Sequence, residues 1–228
     1  MKMKNKPFSI AIDGPAGAGK SSVAKAVAAE LNAMYLDTGA MYRALGLYML
    51  RSGAIKDRSA IVAAVNDVDI TVEFIDGAQH IFLGGEDVTQ AIRGPEVSMA
   101  ASEVSAVPEV RERMVALQRR IAEGHDVIMD GRDIGTKVLP NATLKIYMTA
   151  SAEERARRRC LELDQKGSPE PYEKVLEEMK ARDYQDTHRA ASPLRPADNA
   201  VTVDTTNRSF EECVAEIKRL ALEAIGKL

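Results

Sequence analysis

Residues Gly14 to Ser21 read Gly-Pro-Ala-Gly-Ala-Gly-Lys-Ser and fill every fixed position of G-x-x-x-x-G-K-[ST], the pattern of a loop that cradles phosphates. Glycine lets the backbone curl until successive N–H groups point inward at an anion. Lys20 then supplies a mobile positive charge for the β- and γ-phosphates, and the Ser21 hydroxyl can ligate Mg²⁺. The expected phosphate ligands are Gly14, Pro15, Ala16, Gly17, Ala18, Gly19, Lys20, Ser21 and Ser22, with Ser21 as the metal-side residue. A helix beginning at Lys20 would add the positive end of its dipole to the same site.

Three other clusters carry charge of the kind phosphoryl transfer needs. In Asp37-Thr38-Gly39-Ala40-Met41-Tyr42-Arg43, Thr38 is the expected cap of a helix that buries Met41, Leu45 and Tyr48, which leaves Arg43 about one turn in. A surface arginine on a capped helix is the plain alternative. Asp130-Gly131-Arg132-Asp133 follows another apolar run. Its arginine offers a planar fork to phosphate, and a carboxylate there could hold Mg²⁺ through water or accept from an amino group. A simple loop ion pair is the alternative. Arg155, Arg157, Arg158 and Arg159 crowd one helix, and Arg182, Asp186 and Arg189 share one face of another. With Gly167-Ser168-Pro169 as a hinge between them, they suit an arginine-lined flap that shuts over a nucleotide. A solvated basic helix would carry the same arginines. His80, His125 and His188 share no spacing and read as turn, surface or hydrogen-bonded residues. Phosphoryl transfer needs no nucleophilic triad, because positioning and charge stabilisation supply most of the catalysis.

Elements that could position these groups are legible as short apolar runs. Phe8 to Ile12, Met34 to Leu36, Val127 to Met129, Leu144 to Met148 and Val201 to Val203 read as five strands alternating with helices. That alternation predicts a three-layer α/β fold, a doubly wound parallel five-stranded sheet whose ligands gather at the carboxyl ends of its strands. Pro108 is placed to open a helix with Val110, Met114, Leu117 and Ile121 on one stripe. Ser151/Glu154 and Ser209/Glu212 have the spacing of capping boxes. Between Val68 and Thr89 the period changes to two, with Ile70, Val72 and Phe74 on one face, a turn at Asp76-Gly77 and a second strand near His80 to Leu83. This predicts a small antiparallel sheet inserted into the core.

The 228 residues are 45% hydrophobic, enough for a real core, and their net charge of −3 makes no electrostatic case for nucleic acid. No apolar stretch is long enough to span a membrane, and the Lys-rich start, Met1 to Lys6, lacks the apolar run of a signal peptide. A cytoplasmic protein without a membrane partner is expected. Cys160 and Cys213 lack metal-ligand spacing and are expected to stay reduced.

Taken together, Ile-Asp-Gly-Pro-Ala-Gly-Ala-Gly-Lys-Ser, Leu-Asp-Thr-Gly-Ala-Met-Tyr-Arg, Met-Asp-Gly-Arg-Asp-Ile-Gly and the Arg182/Asp186/Arg189 helix closely resemble the bacterial cytidylate kinases of the nucleoside monophosphate kinase group, from about Pro7 to Ile225. The resemblance implies phosphorylation of CMP and dCMP by ATP with Mg²⁺, in a monomer. It implies a core of residues 7–37, 107–150 and 191–228, a monophosphate-binding part at 38–106 that carries the inserted sheet, and a helical lid at 151–190. It implies that Arg43, Arg132 and Arg189 hold the acceptor phosphate near Thr38, Tyr42 and Gly131. Ser102, Arg111 and Asp133 would read cytosine, and Arg182 with Asp186 would hold the pentose hydroxyls. Arg155 and Arg157 would contact the donor, and Lys20, Arg132, Arg158, Arg182 and Arg189 would stabilise the transferring charge. A kinase for UMP, AMP or shikimate is the nearest other reading. A nucleotide-hydrolysing switch protein is a more distant one, and no N-K-x-D run supports it.

Overall fold

The computed structural model describes residues 7–226, and the Lys-rich start, Met1 to Lys6, lies outside the described residues. In chain order the elements are β1 (Ser9–Asp13), α1 (Lys20–Glu30), β2 (Met34–Asp37), α2 (Thr38–Ser52), α3 (Arg58–Val65), β3 (Ile70–Ile75), β4 (Ala78–Leu83), β5 (Glu86–Asp87), α4 (Pro95–Val104), α5 (Pro108–Ala122), β6 (Val127–Gly131), β7 (Leu144–Thr149), α6 (Ala152–Gln165), α7 (Tyr172–His188), β8 (Val201–Asp204) and α8 (Phe210–Ile225). They form two compact units, one of the residues up to Ala33 with those from His125 onward, the other Met34–Gly124. The expected five strands form one sheet in the order β2-β6-β1-β7-β8.

In the first unit β1 pairs in parallel with β6 and β7, and β7 with β8. Every residue of β6 and all but the first of β1 are buried, so these strands are continuous apolar runs rather than alternating ones. The register sets Asp13 opposite both Gly131 and Tyr147, and Thr149 opposite Asp204. The carboxyl ends are therefore level, and the loops after β1 and β6 leave from the same edge. The expected capping box at Ser209 is complete, with Ser209 Oγ accepting from Glu212 N and Glu212 returning to Ser209 N. At Ser151 only half of it forms. Its hydroxyl accepts from Glu154 N at 3.2 Å, but its own N–H donates to Thr206 Oγ1 at 3.0 Å.

The second unit holds α2 to α5 and the antiparallel sheet β3-β4-β5. Ile70 lies opposite Leu83, and Ile75 opposite Ala78, across the Asp76-Gly77 turn. The expected β3 face loses its burial toward that turn, where Phe74 and Ile75 are exposed. The third strand, β5, is two acidic residues long and carries no hydrophobic signal. Asp37, not Thr38, caps α2. Its Oδ1 accepts from Ala40 N at 2.9 Å, and Thr38 is already the first helical residue. Pro108 opens α5 as expected, but the buried line runs Val110, Met114, Gln118 rather than through Leu117. α2 packs closely on α4 at Gly46, where a Cβ would lie 2.8 Å from Ala101 N. No described helix is long and apolar enough to cross a membrane.

Candidate active site

The phosphate loop runs from the end of β1 to the start of α1. Gly14 has φ 149° and passes so close to the Met148 carbonyl that a Cβ could not be accommodated. Only glycine tolerates both conditions. Lys20 is 5% exposed, and its Nζ donates to Pro15 O at 2.6 Å, folded over its own loop. Ser21 Oγ donates to Asp130 Oδ2 at 2.8 Å. That contact places a hydroxyl and a carboxylate oxygen side by side, and hard oxygen donors of this kind suit magnesium.

Asp13, just before the loop, accepts from Ile134 N and Gly135 N, both at 2.7 Å. It thereby fixes the π-helical turn Ile134–Val138 that follows the Asp130-to-Asp133 run. Burial pushes its carboxyl up to about 6, opposed by those two N–H groups, with Asp133 adding to the rise and Lys20 countering it. The Lys20 ammonium is pulled down to about 7 by burial and by Arg132 nearby, against Asp130, Asp13 and Asp186. A buried cation whose charge is this costly is poised for an arriving anion.

Arg132 Nε donates to Asp186 Oδ2 at 2.8 Å, and Arg189 Nη1 lies 3.7 Å from Asp186 Oδ1. Burial works against the charge of Asp186, but Arg132, Arg189 and Arg182 outweigh it and hold the carboxyl below its usual range. The structure thus joins the arginine after β6 to the face of α7, residues the sequence separates by more than fifty positions. Asp133 is buried beside them in sequence. The four arginines of α6 divide. Arg155 is buried and bonded to Ala150 O, Ala16 O and Asp183. Arg158 reaches Thr205 O at 2.6 Å and Glu154 at 3.1 Å. Arg157 and Arg159 lie outward, on Glu154 and Glu162.

Within the second unit, Arg111 is buried, its guanidinium 5.5 Å from the centre of the Tyr42 ring and its Nη1 donating to Ser105 O at 3.0 Å. Arg43 Nη2 donates to Asp37 Oδ2 at 2.9 Å, and Arg93 approaches the same oxygen at 3.7 Å. Gln79 of β4 accepts from Asp37 N and donates to Asp37 O, so the antiparallel sheet braces the segment that carries Thr38, Tyr42 and Arg43. Ser102 sits half-buried on α4. Sequence reasoning missed Asp13, Arg93, Asp183 and Thr205. For Asp13 the signal was available, since it ends an apolar strand directly before the loop. For the others nothing short of the fold reveals their partners.

The family model described as cytidylate kinase matches residues 10–223. A cytidylate kinase of Caldicellulosiruptor bescii is 52% identical over 96% of this chain and 98% of its own, and one of Desulfitobacterium hafniense is 52% identical over 94% and 93%. An uncharacterised protein of Eubacterium ventriosum shares the fold, with a TM-score of 0.50 at 12% identity over 93% of this chain and 97% of its own. Such identity along nearly the whole length, on a chain whose phosphate loop and arginine–carboxylate clusters are all formed, places the protein in the cytidylate kinase family.

Proposed function

We propose that the protein transfers the γ-phosphoryl group of ATP to the 5′-phosphate of CMP or dCMP, releasing ADP and CDP or dCDP. The observation that carries this reading is a formed phosphate loop with a buried Lys20 folded over the Pro15 carbonyl in a member of the cytidylate kinase family. Loop N–H groups and Lys20 bind the β- and γ-phosphates, and the α1 dipole adds to their field. Ser21 with Asp130 would hold Mg²⁺, which supplies charge neutralisation across the two phosphates when bound. Arg132, Arg182 and Arg189 offset charge on the moving phosphoryl group, with Arg158 reinforcing them from α6.

For the acceptor, Arg43, Arg132 and Arg189 take the phosphate, with Thr38, Tyr42 and Gly131 beside it, and Asp186 with Arg182 takes the pentose hydroxyls. Asp133 accepts from the amino group at C4 of cytosine, while Arg111 and Ser102 serve the carbonyl side of the ring. Uracil replaces that amino donor with an acceptor and would face Asp133 with repulsion. Each buried polar group left unpaired costs about 1–3 kcal/mol. Shielding the site from water keeps the γ-phosphoryl from hydrolysis. The reading further places the core at 7–37, 107–150 and 191–228, the monophosphate-binding part at 38–106 and a closing lid at 151–190, in a cytoplasmic monomer. An ADP-release assay across CMP, dCMP, UMP and AMP tests it. Turnover should be fastest with the two cytosine nucleotides, and a preference for AMP or UMP would reject the assignment.

A further inference from the structure

Two carbonyl groups of the phosphate loop accept from side chains that the proposed reaction does not use, although the resemblance set one of them, Arg155, on the donor nucleotide. Ala16 O accepts from Arg155 Nη1 at 3.0 Å. Arg155 is itself fixed by Asp183, which takes Nη1 at 3.1 Å and Nη2 at 2.5 Å, while Nε donates to Ala150 O at 3.0 Å. These four bonds engage all but one of the five N–H groups of a guanidinium, and the side chain is 4% exposed. Thr205 Oγ1 lies 3.3 Å from Ala18 O and 3.1 Å from Thr149 O and shares its single proton between the two carbonyls, while Arg158 holds Thr205 through Nη1 on that hydroxyl at 3.2 Å and through Nη2 on its carbonyl at 2.6 Å. The loop tip also packs against this framework, since a Cβ on Gly17 would lie 3.2 Å from both Arg155 Cβ and Met179 Cε.

In a trans peptide the C=O and the following N–H point in opposite directions. A carbonyl pinned to the outside of the loop therefore turns the next N–H to the inside. Pinning Ala16 O orients Gly17 N–H, and pinning Ala18 O orients Gly19 N–H, both toward the space an anion would fill. Donors fixed in place before the ligand arrives need no reorganisation on binding. We propose that Arg155 with Asp183, and Thr205, are positioning residues that hold the phosphate loop open for ATP by fixing the carbonyls of Ala16 and Ala18. This places Arg155 on the loop itself rather than on the nucleotide. The inference rests on the loop being the ATP site and does not depend on which acceptor is used.

The test is calorimetric binding of ATP to the full chain without acceptor, for the wild type and for Asp183→Asn, Thr205→Val and Arg155→Met, each checked for an intact melting transition. Loss of an oriented hydrogen bond should weaken ATP about five- to tenfold in each variant, and KM for CMP should stay within about twofold. The double variant R155M/D183N should bind ATP no worse than Arg155→Met alone, because both changes cut one chain of contacts. Asp183→Asn is the decisive variant. If Arg155 instead reached out to the phosphates, weakening its tether would leave ATP affinity unchanged or improve it, and that result overturns the proposal. So does an equal loss of affinity for CMP, which would mean general loosening. Should Arg155→Met fail to fold, the two near-isosteric variants still decide the matter. A wild type that binds ATP yet ignores CMP would remove the acceptor assignment and leave this test intact.

Discussion

Lys20 shows how function and stability pull against each other at one residue. Its ammonium is buried, lowered to about 7, and rests on the Pro15 carbonyl. Substitution Lys20→Met removes a costly charge and keeps the length of the side chain. We expect kcat to fall at least a hundredfold, on the order of losing one preorganised charge at a developing negative centre, while the melting temperature at pH 8 holds or rises. Normal turnover in that variant would remove Lys20 from the mechanism. Asp133→Asn is the matching probe of selectivity. An amide can donate to the uracil carbonyl, so the ratio of kcat/KM for CMP over UMP should shrink by about tenfold or more. An unchanged ratio would mean the base is read elsewhere. Side-chain types were readable at this scale, but their partners were not. Four neighbouring arginines look alike in sequence, and only the folded chain shows Arg155 turned in on Asp183, 28 residues away, and Arg158 on Thr205. Likewise Thr38 and Asp37 are both good caps, and the bond to Ala40 goes to Asp37.

Among the elements, those buried on both faces were the most legible. β1 and β6 are continuous apolar runs because parallel strands are covered by helices, and each shows as such in the sequence. β5 was not, because its two residues, Glu86 and Asp87, carry no hydrophobic pattern and are held by pairing with Leu83 and Phe82 and by side-chain bonds to Arg51 and His80. The stripe of α5 was displaced for a similar reason. Gln118 is buried in place of Leu117, and a hydrophobicity pattern does not anticipate a buried amide. The α2–α4 contact offers a test in which two effects have opposite signs. Gly46→Ala gains about 1 kcal/mol of helix propensity, yet the new Cβ would meet Ala101 N at 2.8 Å. Backbone cannot yield as a flexible side chain does, so overpacking of about 1–3 kcal/mol should win. Denaturant unfolding should show a lower midpoint at unchanged slope. A higher midpoint would mean the helices separate without cost.

For the whole molecule, the stressed groups at the site predict a pH profile of stability in the absence of ligand. Asp13 has its carboxyl raised from 3.8 to about 6, so between those values the folded state holds the proton more tightly. Its contribution is full below about 4 and is lost as pH rises through about 6. Lys20 is lowered from 10.5 to about 7. Above pH 7 the unfolded state holds that proton more tightly, so stability recovers as pH climbs toward 10. Thermal melts across pH should therefore show a shallow minimum near pH 6–7. Lys20→Met should flatten its alkaline side, and Asp13→Asn its acid side. A profile unaltered by either change would show that these groups are not under the stress described. The five-stranded fold and the inserted sheet were both visible in the pattern of apolar runs, because period and run length are local properties. The joining of Arg132 to Asp186, and of Arg111 to Tyr42, is a product of topology and had to be seen.

The most direct test of the account is initial rates of ADP release with purified protein, ATP and magnesium, comparing CMP, dCMP, UMP, AMP and no acceptor. CMP and dCMP should drive release at least tenfold faster than UMP or AMP, with little release when no acceptor is added. ADP release that is equally fast without any monophosphate, or fastest with a purine, would contradict it.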